Sequence, residues 1–284
     1  MTQGIVVGLD GTDQANAAAQ WAAQEAVLRG SGLHLVHVRG TPPEALLPFA
    51  AREPGEPWAE DLLARTAAQL RDRHPGLSVT TVLLPSEPVG SLVATADEGE
   101  LLVLGSRALS GVAGYLIGSV GMSVAGLVAR PVVLVRALDT SPSQEAIVVG
   151  VDLRQPVDTV LGFAFEEAAR RLARVRVVYA QRLPAYATLG PPMVPDIRLT
   201  VGPEIQRSLD DLLEPWRAKF PDLTATGHVT IGSAGQELVQ AARDAALVVI
   251  GRRTPGSTPG TRIGSVAHAV LHHSRSPVAL VPHD

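Results

Sequence analysis

Residues 4–10 read GIVVGLD, and residues 146–152 read AIVVGVD. Each is a short apolar run that closes on Gly-x-Asp. The same register returns further along. Residues 101–107 (LLVLGSR) answer to 247–253 (LVVIGRR), 118–120 (GSV) to 264–266, and 131–135 (PVVLV) to 277–281 (PVALV). The first pair is offset by 142 residues and the other three by 146. Four landmarks in one order mark an internal duplication. A chain of 284 residues also suits two ordinary domains. The expected boundaries are 1–137 and 146–284, joined by a polar linker at 138–145 (LDTSPSQE).

Between the landmarks, strand and helix patterns alternate. In the first half, strands are expected at 4–9, 33–38, 78–84, 101–105 and 131–136, with helices at 13–29, 59–73, 87–97 and 118–129. In the second half, helices are expected near 156–173, 203–219, 235–244 and 265–274. Continuous Val/Ile/Leu runs imply strands buried on both faces. Alternation of such strands with helices predicts α/β domains with a parallel, doubly wound sheet and right-handed crossovers. Sheets of this kind take ligands beyond the carboxyl ends of their strands, where the strand order reverses.

Composition narrows the function. The net charge of −4 and the lack of a Lys/Arg cluster interleaved with aromatics argue against nucleic acid as a partner. The absence of cysteine excludes thiolate nucleophiles and Cys-based metal sites and suits a reducing compartment. No secretory signal or membrane span is expected, so the sequence reads as cytoplasmic. The single lysine, Lys219, stands in RAKF, away from any Gly-rich loop, so a Walker-type phosphate loop is excluded. His268 and His272, spaced i, i+4, lack a third ligand nearby, and no metal site is expected. His34 and His37 share a strand but point to opposite faces.

The informative residues follow the strands. Asp10 and Asp152 end the first strand of each half, and Gly105 and Gly251 end the fourth. A loop of 12 residues leads from each of these glycines to Gly118-Ser119 or Gly264-Ser265, which opens a helix. A helix N-terminus presents unpaired N–H groups and partial positive charge, and glycine there lets a phosphate approach the backbone. A plainer account exists for each feature alone: Gly-Ser is a good cap, and Asp after a strand commonly satisfies a turn. Duplication of the whole spacing favours the ligand reading.

A strand-end glycine, two residues, a second glycine, nine residues and Gly-Ser resembles the ATP-binding loop of universal stress proteins. IVVGLDGT and WAAQEAVLRGSGLHLVHV in the first half, and FEEAARRLARVRVVYA in the second, resemble that family too, as do the endings GSVGMSVAGLVARPVVLV and GSVAHAVLHHSRSPVALV. The resemblance implies a tandem member, with two Rossmann-like, adenine-nucleotide-binding domains of strand order 3-2-1-4-5. It implies ATP, with magnesium, over strands one and four. Residue by residue, Asp10 and Val38 would contact adenine, Gly105 would lie by the ribose with Arg107 alongside, and Gly118, Ser119 and Val120 would hold phosphates. The matching set in the second half is Asp152, Ala180, Gly251, Arg253, Gly264, Ser265 and Val266. The family also implies dimer contacts through the final strand, here a pseudo-dimer of the two halves or a homodimer.

The motif's second glycine is replaced by Ala108 and Thr254. If that position needs a left-handed backbone, both substitutions are strained, and Pro255 further biases Thr254 toward extended geometry. Arg252, Arg253 and Arg262 in the second loop compensate by charge or are merely solvated. The first half therefore reads as the better-kept site. The expected role is a non-catalytic, nucleotide-responsive stress protein. Two other readings are an enzyme that cleaves or transfers the adenylate of ATP and a scaffold that has lost nucleotide binding. Against the enzyme stands the want of a base: no Cys, no Lys near the loop and no His read at a strand end.

Overall fold

The computed structural model describes residues 4–39, 56–84, 87–108, 115–116, 119–136, 146–181, 202–254 and 263–284. The expected linker at 138–145 falls outside them. The chain forms two compact units, Met1–Asp139 and Thr140–Asp284.

The first unit runs β1 (Ile5–Gly8), α1 (Asp13–Arg29), β2 (Leu33–Val38), α2 (Glu56–Arg73), β3 (Val79–Leu84), α3 (Pro88–Asp97) and β4 (Leu101–Gly105). It continues through β5 (Arg107–Ala108), β6 (Tyr115–Leu116), α4 (Ser119–Leu127) and β7 (Val132–Val135). β1 pairs in parallel with β2 and β4, β2 with β3, and β4 with β7. The order is β3-β2-β1-β4-β7, which reverses direction between β1 and β4.

The second unit contains β8 (Ala146–Gly150), α5 (Asp158–Arg171), β9 (Arg174–Gln181), α6 (Gly202–Lys219) and β10 (Ala225–Ile231). After these come α7 (Ala234–Ala241), β11 (Leu247–Arg253), α8 (Ser265–His273) and β12 (Val278–His283). Its parallel order, β10-β9-β8-β11-β12, repeats the first.

Packing explains the apolar runs. Leu101, Leu102 and Val103 are consecutive and each 0% exposed, so both faces of β4 are covered. On α1 the inner face is almost all alanine: Ala15, Ala18, Ala19, Ala22, Ala23 and Ala26 are buried. Small side chains let this helix lie close against the sheet.

Each first helix also buries a glutamate. Glu25 on α1 meets Arg29 (Nε–Oε1 2.5 Å), and Glu167 on α5 meets Arg170 and Arg171. Both glutamate side chains are fully buried. Glu25 and Glu167 carry the same offset of 142 as the opening motif. A Glu-x-x-x-Arg repeated at that offset on an otherwise apolar face is the signal that would have found this pair.

The helix ends differ between the copies. α1 stops at Gly30, in the left-handed region at φ 65°, with Ser31 N donating to Ala26 O at 2.9 Å. α5 stops at Leu172 in the same conformation, φ 53°, and this leucine is 89% exposed. A β-carbon in that region costs roughly 1–2 kcal/mol, and so exposed a side chain recovers little by burial. Leu172→Gly is therefore expected to stabilise the second unit by about 1 kcal/mol, net of the entropy that glycine adds to the unfolded chain. Chemical denaturation checks this; a variant no more stable than its parent contradicts it.

Within the loop expected at 106–117, two short strands are described. Arg107 pairs antiparallel with Leu116, and Ala108 with Tyr115. Among the described residues the only non-glycine at positive φ is Leu172. Ala108 and Thr254 are thus not strained, which overturns the conditional argument above. Ala108 lies in a strand, and Thr254 extends a ladder, its N and Oγ1 both donating to His283 O at 2.9 Å. Backbone pairing holds both residues in extended geometry, where a β-carbon fits.

Candidate nucleotide site

In the first unit the carboxyl ends of β1, β2 and β4 bring Asp10, Val38 and Gly105 to one end of the sheet. Asp10 is exposed, two residues beyond β1. Its Oδ1 accepts from Thr12 N at 3.0 Å and from Thr12 Oγ1 at 2.5 Å. Thr12 in turn caps α1, its Oγ1 accepting from Ala15 N at 3.2 Å. Asp10 therefore fixes the turn that starts the helix, the plainer role weighed from sequence. Gly11, between them, has φ 81°, which favours glycine.

Gly105 has a packing reason to be glycine. A β-carbon there would lie 2.6 Å from Ala15 N and 2.7 Å from Gln14 O, in the first turn of α1. The expected role beside a ribose thus has a structural competitor. Ser119 opens α4, and Val120, in its first turn, is 38% exposed. Gly118 lies outside the described residues, as does the side chain of Arg107.

The second unit repeats the plan with different contacts. Gly264 caps α8 at φ −73° with no side-chain cap bond, and among the described residues a β-carbon on Gly264 would meet nothing within 4 Å. Ser265 is exposed and Val266 is 37% exposed, matching Val120. The N-terminus of α8 is thus of the type that accepts anions.

Asp152 is engaged by its own loop. Arg154 donates to it three times, backbone N to Oδ1 at 3.1 Å and, in a side-chain fork, Nε to Oδ1 at 2.9 Å and Nη2 to Oδ2 at 3.0 Å. This fork is the main cause holding the Asp152 carboxyl below the usual range, against the opposing effect of burial. Burial first, and then the Asp152 charge, push the Tyr179 phenol up. With its folded pKa depressed, Asp152 adds stability above the unfolded value near 3.9 and loses it as pH falls through the folded value. The Arg154 side chain is 80% exposed, so solvent screens the pair and keeps the increment small. Arg154→Ala should lower stability at pH 7 and progressively less as pH falls through the folded Asp152 value; denaturation across that range tests it, and a pH-independent cost contradicts it.

β11 runs past Gly251 to Arg253, two residues further than the sequence reading placed its end, because β12 extends to His283 and pairs Arg252 with Pro282 and Arg253 with His283. The His283 ring covers Gly251; a β-carbon on that glycine would lie 2.6 Å from His283 Cδ2. α5 begins six residues after Asp152, whereas α1 begins three after Asp10. The first turn of α5 accordingly does not press its backbone on the glycine as α1 does. Val160 and His283 fill that place. Arg252, read as a solvated or compensating loop cation, is 2% exposed, while Arg253 is exposed. Arg262 lies outside the described residues, and Ala180 is half-buried in β9.

Several residues near these sites were missed in the sequence. His37 stands at a strand end after all, its Nδ1 donating to Leu9 O at 2.7 Å. Its ring meets Trp58 edge-on, with centroids 5.7 Å apart. Ser106 follows Gly105, is 2% exposed, and its hydroxyl has no hydrogen-bond partner among the described residues. His268 and His272 do face one another, rings 6.0 Å apart, yet no group of three or more His, Asp or Glu among the described residues is placed to hold a metal. A cleft of about 510 Å³ opens instead at Gly202, Gln206 and Thr230, beside the outer strand β10 and away from the reversal point.

The pattern of these sheets and motifs has a counterpart among known proteins. The model of the universal stress protein family matches twice, over residues 1–136 and 145–282. The chain belongs to the universal stress protein family. Universal stress proteins of Mycobacterium tuberculosis and Mycobacterium bovis are each 32% identical to it over 286 residues, covering 97% of this chain and 95% of theirs. The crystal structure of a universal stress protein from Archaeoglobus fulgidus shares the fold, with a TM-score of 0.73 and 14% identity over the whole of both chains. Among the described residues no helix of this universal stress protein is long and apolar enough to cross a membrane.

Proposed function

We propose that the first unit binds ATP, with magnesium, without turning it over, and that the nucleotide makes this universal stress protein a regulator in the response to stress. One observation carries the reading. Each unit gathers its matched residues at the end of the sheet where strand order reverses, and a helix N-terminus opens beside them. The base lies by Asp10 and Val38, and the phosphates meet the first turn of α4 at Ser119 and Val120. The second unit is the poorer site, because Arg154 holds Asp152 and His283 covers Gly251.

The two helix N-termini supply a test that spares the fold. Val120 and Val266 are both partly exposed first-turn residues, where a glutamate favours the helix dipole. Val120→Glu should keep the melting temperature and weaken ATP about tenfold or more, a loss of ~1.4 kcal/mol, by charge repulsion. Val266→Glu should leave that binding unchanged. Calorimetric titration of both variants decides; equal affinity in Val120→Glu and parent overturns the placement. Release of phosphate or AMP at enzyme-like rates, about 1 s⁻¹ or more, by rigorously purified protein would favour the adenylate-cleaving alternative.

A further inference from the structure

The two units differ most in what stands beside the first turn. In the first unit Trp58, the third residue of α2, lies over Gly11; a β-carbon on Gly11 would be 2.8 Å from its Cη2 and Cζ2. His37 packs against the same indole and is itself bonded to Leu9 O, so Gly11 and His37, on either side of Asp10 in space, both meet one aromatic ring. Trp58 remains half-buried and not enclosed. Its helix is tied to the end of β2, because Arg39, next after Val38, pairs with Glu56 at 3.0 Å. In the second unit the residue matching Gly11 is Leu153, and the third residue of α6 is the exposed Glu204. The residue matching His37 is Tyr179, and among the described residues the first turn of α6 carries no aromatic side chain.

We propose that Trp58 is the aromatic wall of the base subsite in the first unit and makes it selective for purine nucleotides. The inference rests on the reading that this unit binds a nucleotide with its base by Asp10 and Val38. An indole offers a flat, polarisable surface, and bases gain by stacking on such surfaces. The larger ring system of a purine gains more than a pyrimidine. Gly11 has a place in this arrangement: with no side chain and with φ 81°, it lets the indole come down beside Asp10. The matching residue in the second unit, Leu153, carries the side chain that Gly11 lacks.

The test uses the whole chain, with ATP and UTP as probes. Tryptophan emission of the parent is expected to change on adding ATP, and Trp58→Phe should abolish that change while calorimetry still detects binding. Trp58→Leu, which keeps an apolar contact with Gly11, should weaken ATP about tenfold and UTP much less, narrowing the ratio between them. Melting temperatures of both variants show that the fold is kept, and the phenylalanine variant should recover most of the ATP affinity. If ATP binds but leaves the emission unaltered, and Trp58→Leu keeps the parent's affinities and ratio, Trp58 is only packing over Gly11 and the inference is overturned. If the parent binds neither nucleotide at millimolar concentration, the nucleotide reading of the first unit falls, and this inference with it.

Discussion

Gly105→Ala should destabilise the first unit by about 2–3 kcal/mol, whereas Gly264→Ala should cost under ~1 kcal/mol. The two glycines belong to one motif, yet their surroundings are opposite. A methyl group on Gly105 would meet main-chain atoms of Gln14 and Ala15 at 2.6–2.7 Å, well inside van der Waals contact. Backbone in the first turn of a helix cannot swing aside, so α1 must shift away from β4 and loosen the alanine face beneath it. The same group on Gly264 would enter open space at a φ of −73° that any residue adopts. Gly251 falls between them, since the atoms nearest its β-carbon are the end of the His283 ring, which can turn. Denaturant unfolding of the three alanine variants should rank them Gly105, Gly251, Gly264. If Gly105→Ala is as stable as the parent, the close approach of α1 is not what requires glycine there, and the ribose becomes the better explanation.

Breaking the buried ion pair on α5 should cost more. Glu167→Ala is expected to destabilise the second unit by about 3–5 kcal/mol, because it leaves buried positive charge without its carboxylate. The Glu167 side chain is 0% exposed and that of Arg171 only 6%, so water cannot replace the lost partner without opening the helix. Glu25→Ala should act in the same direction in the first unit, where Arg29 is 10% exposed. Replacing Glu167 and Arg171 together by Leu and Met should recover much of the loss, since a buried pair gives up most of its attraction to desolvation. Thermal and denaturant unfolding of the single and double variants measure this. A Glu167→Ala protein within ~1 kcal/mol of the parent would show that the arginines reach solvent easily and that the pair is incidental.

Much of the architecture could be read along the chain. The duplication, the alternation of strands with helices and the residues just after each strand are local patterns, and they put Asp10 and Gly105 at the carboxyl ends of neighbouring strands, where the structure has them. The loop after β4 was read less well. Ala108 looked strained only because a glycine was expected in its place; pairing with Tyr115 keeps it extended. The same limit applied to Arg252. An arginine in a Gly/Pro-rich loop reads as solvated, but continuation of the β11–β12 ladder carries it into the interior. The length of a ladder depends on both strands, so neither strand alone announces it.

By itself, then, the sequence determined two doubly wound α/β units of one family, and which end of each sheet to inspect. Periodicity and repeated spacing survive in one dimension because they depend on neighbours a few residues apart. What each marked residue touches was decided only in three dimensions. Gly105 meets Gln14 and Ala15, some ninety positions away in the chain, and His37 reaches Leu9 and Trp58. The difference between the two sites has the same origin. α5 begins three residues later than α1 relative to its aspartate, and that small change in helix start leaves room for Arg154 on Asp152 and His283 over Gly251. Close packing turns a shift of less than one helical turn into a different set of contacts, and no local pattern encodes which side chain will fill the space.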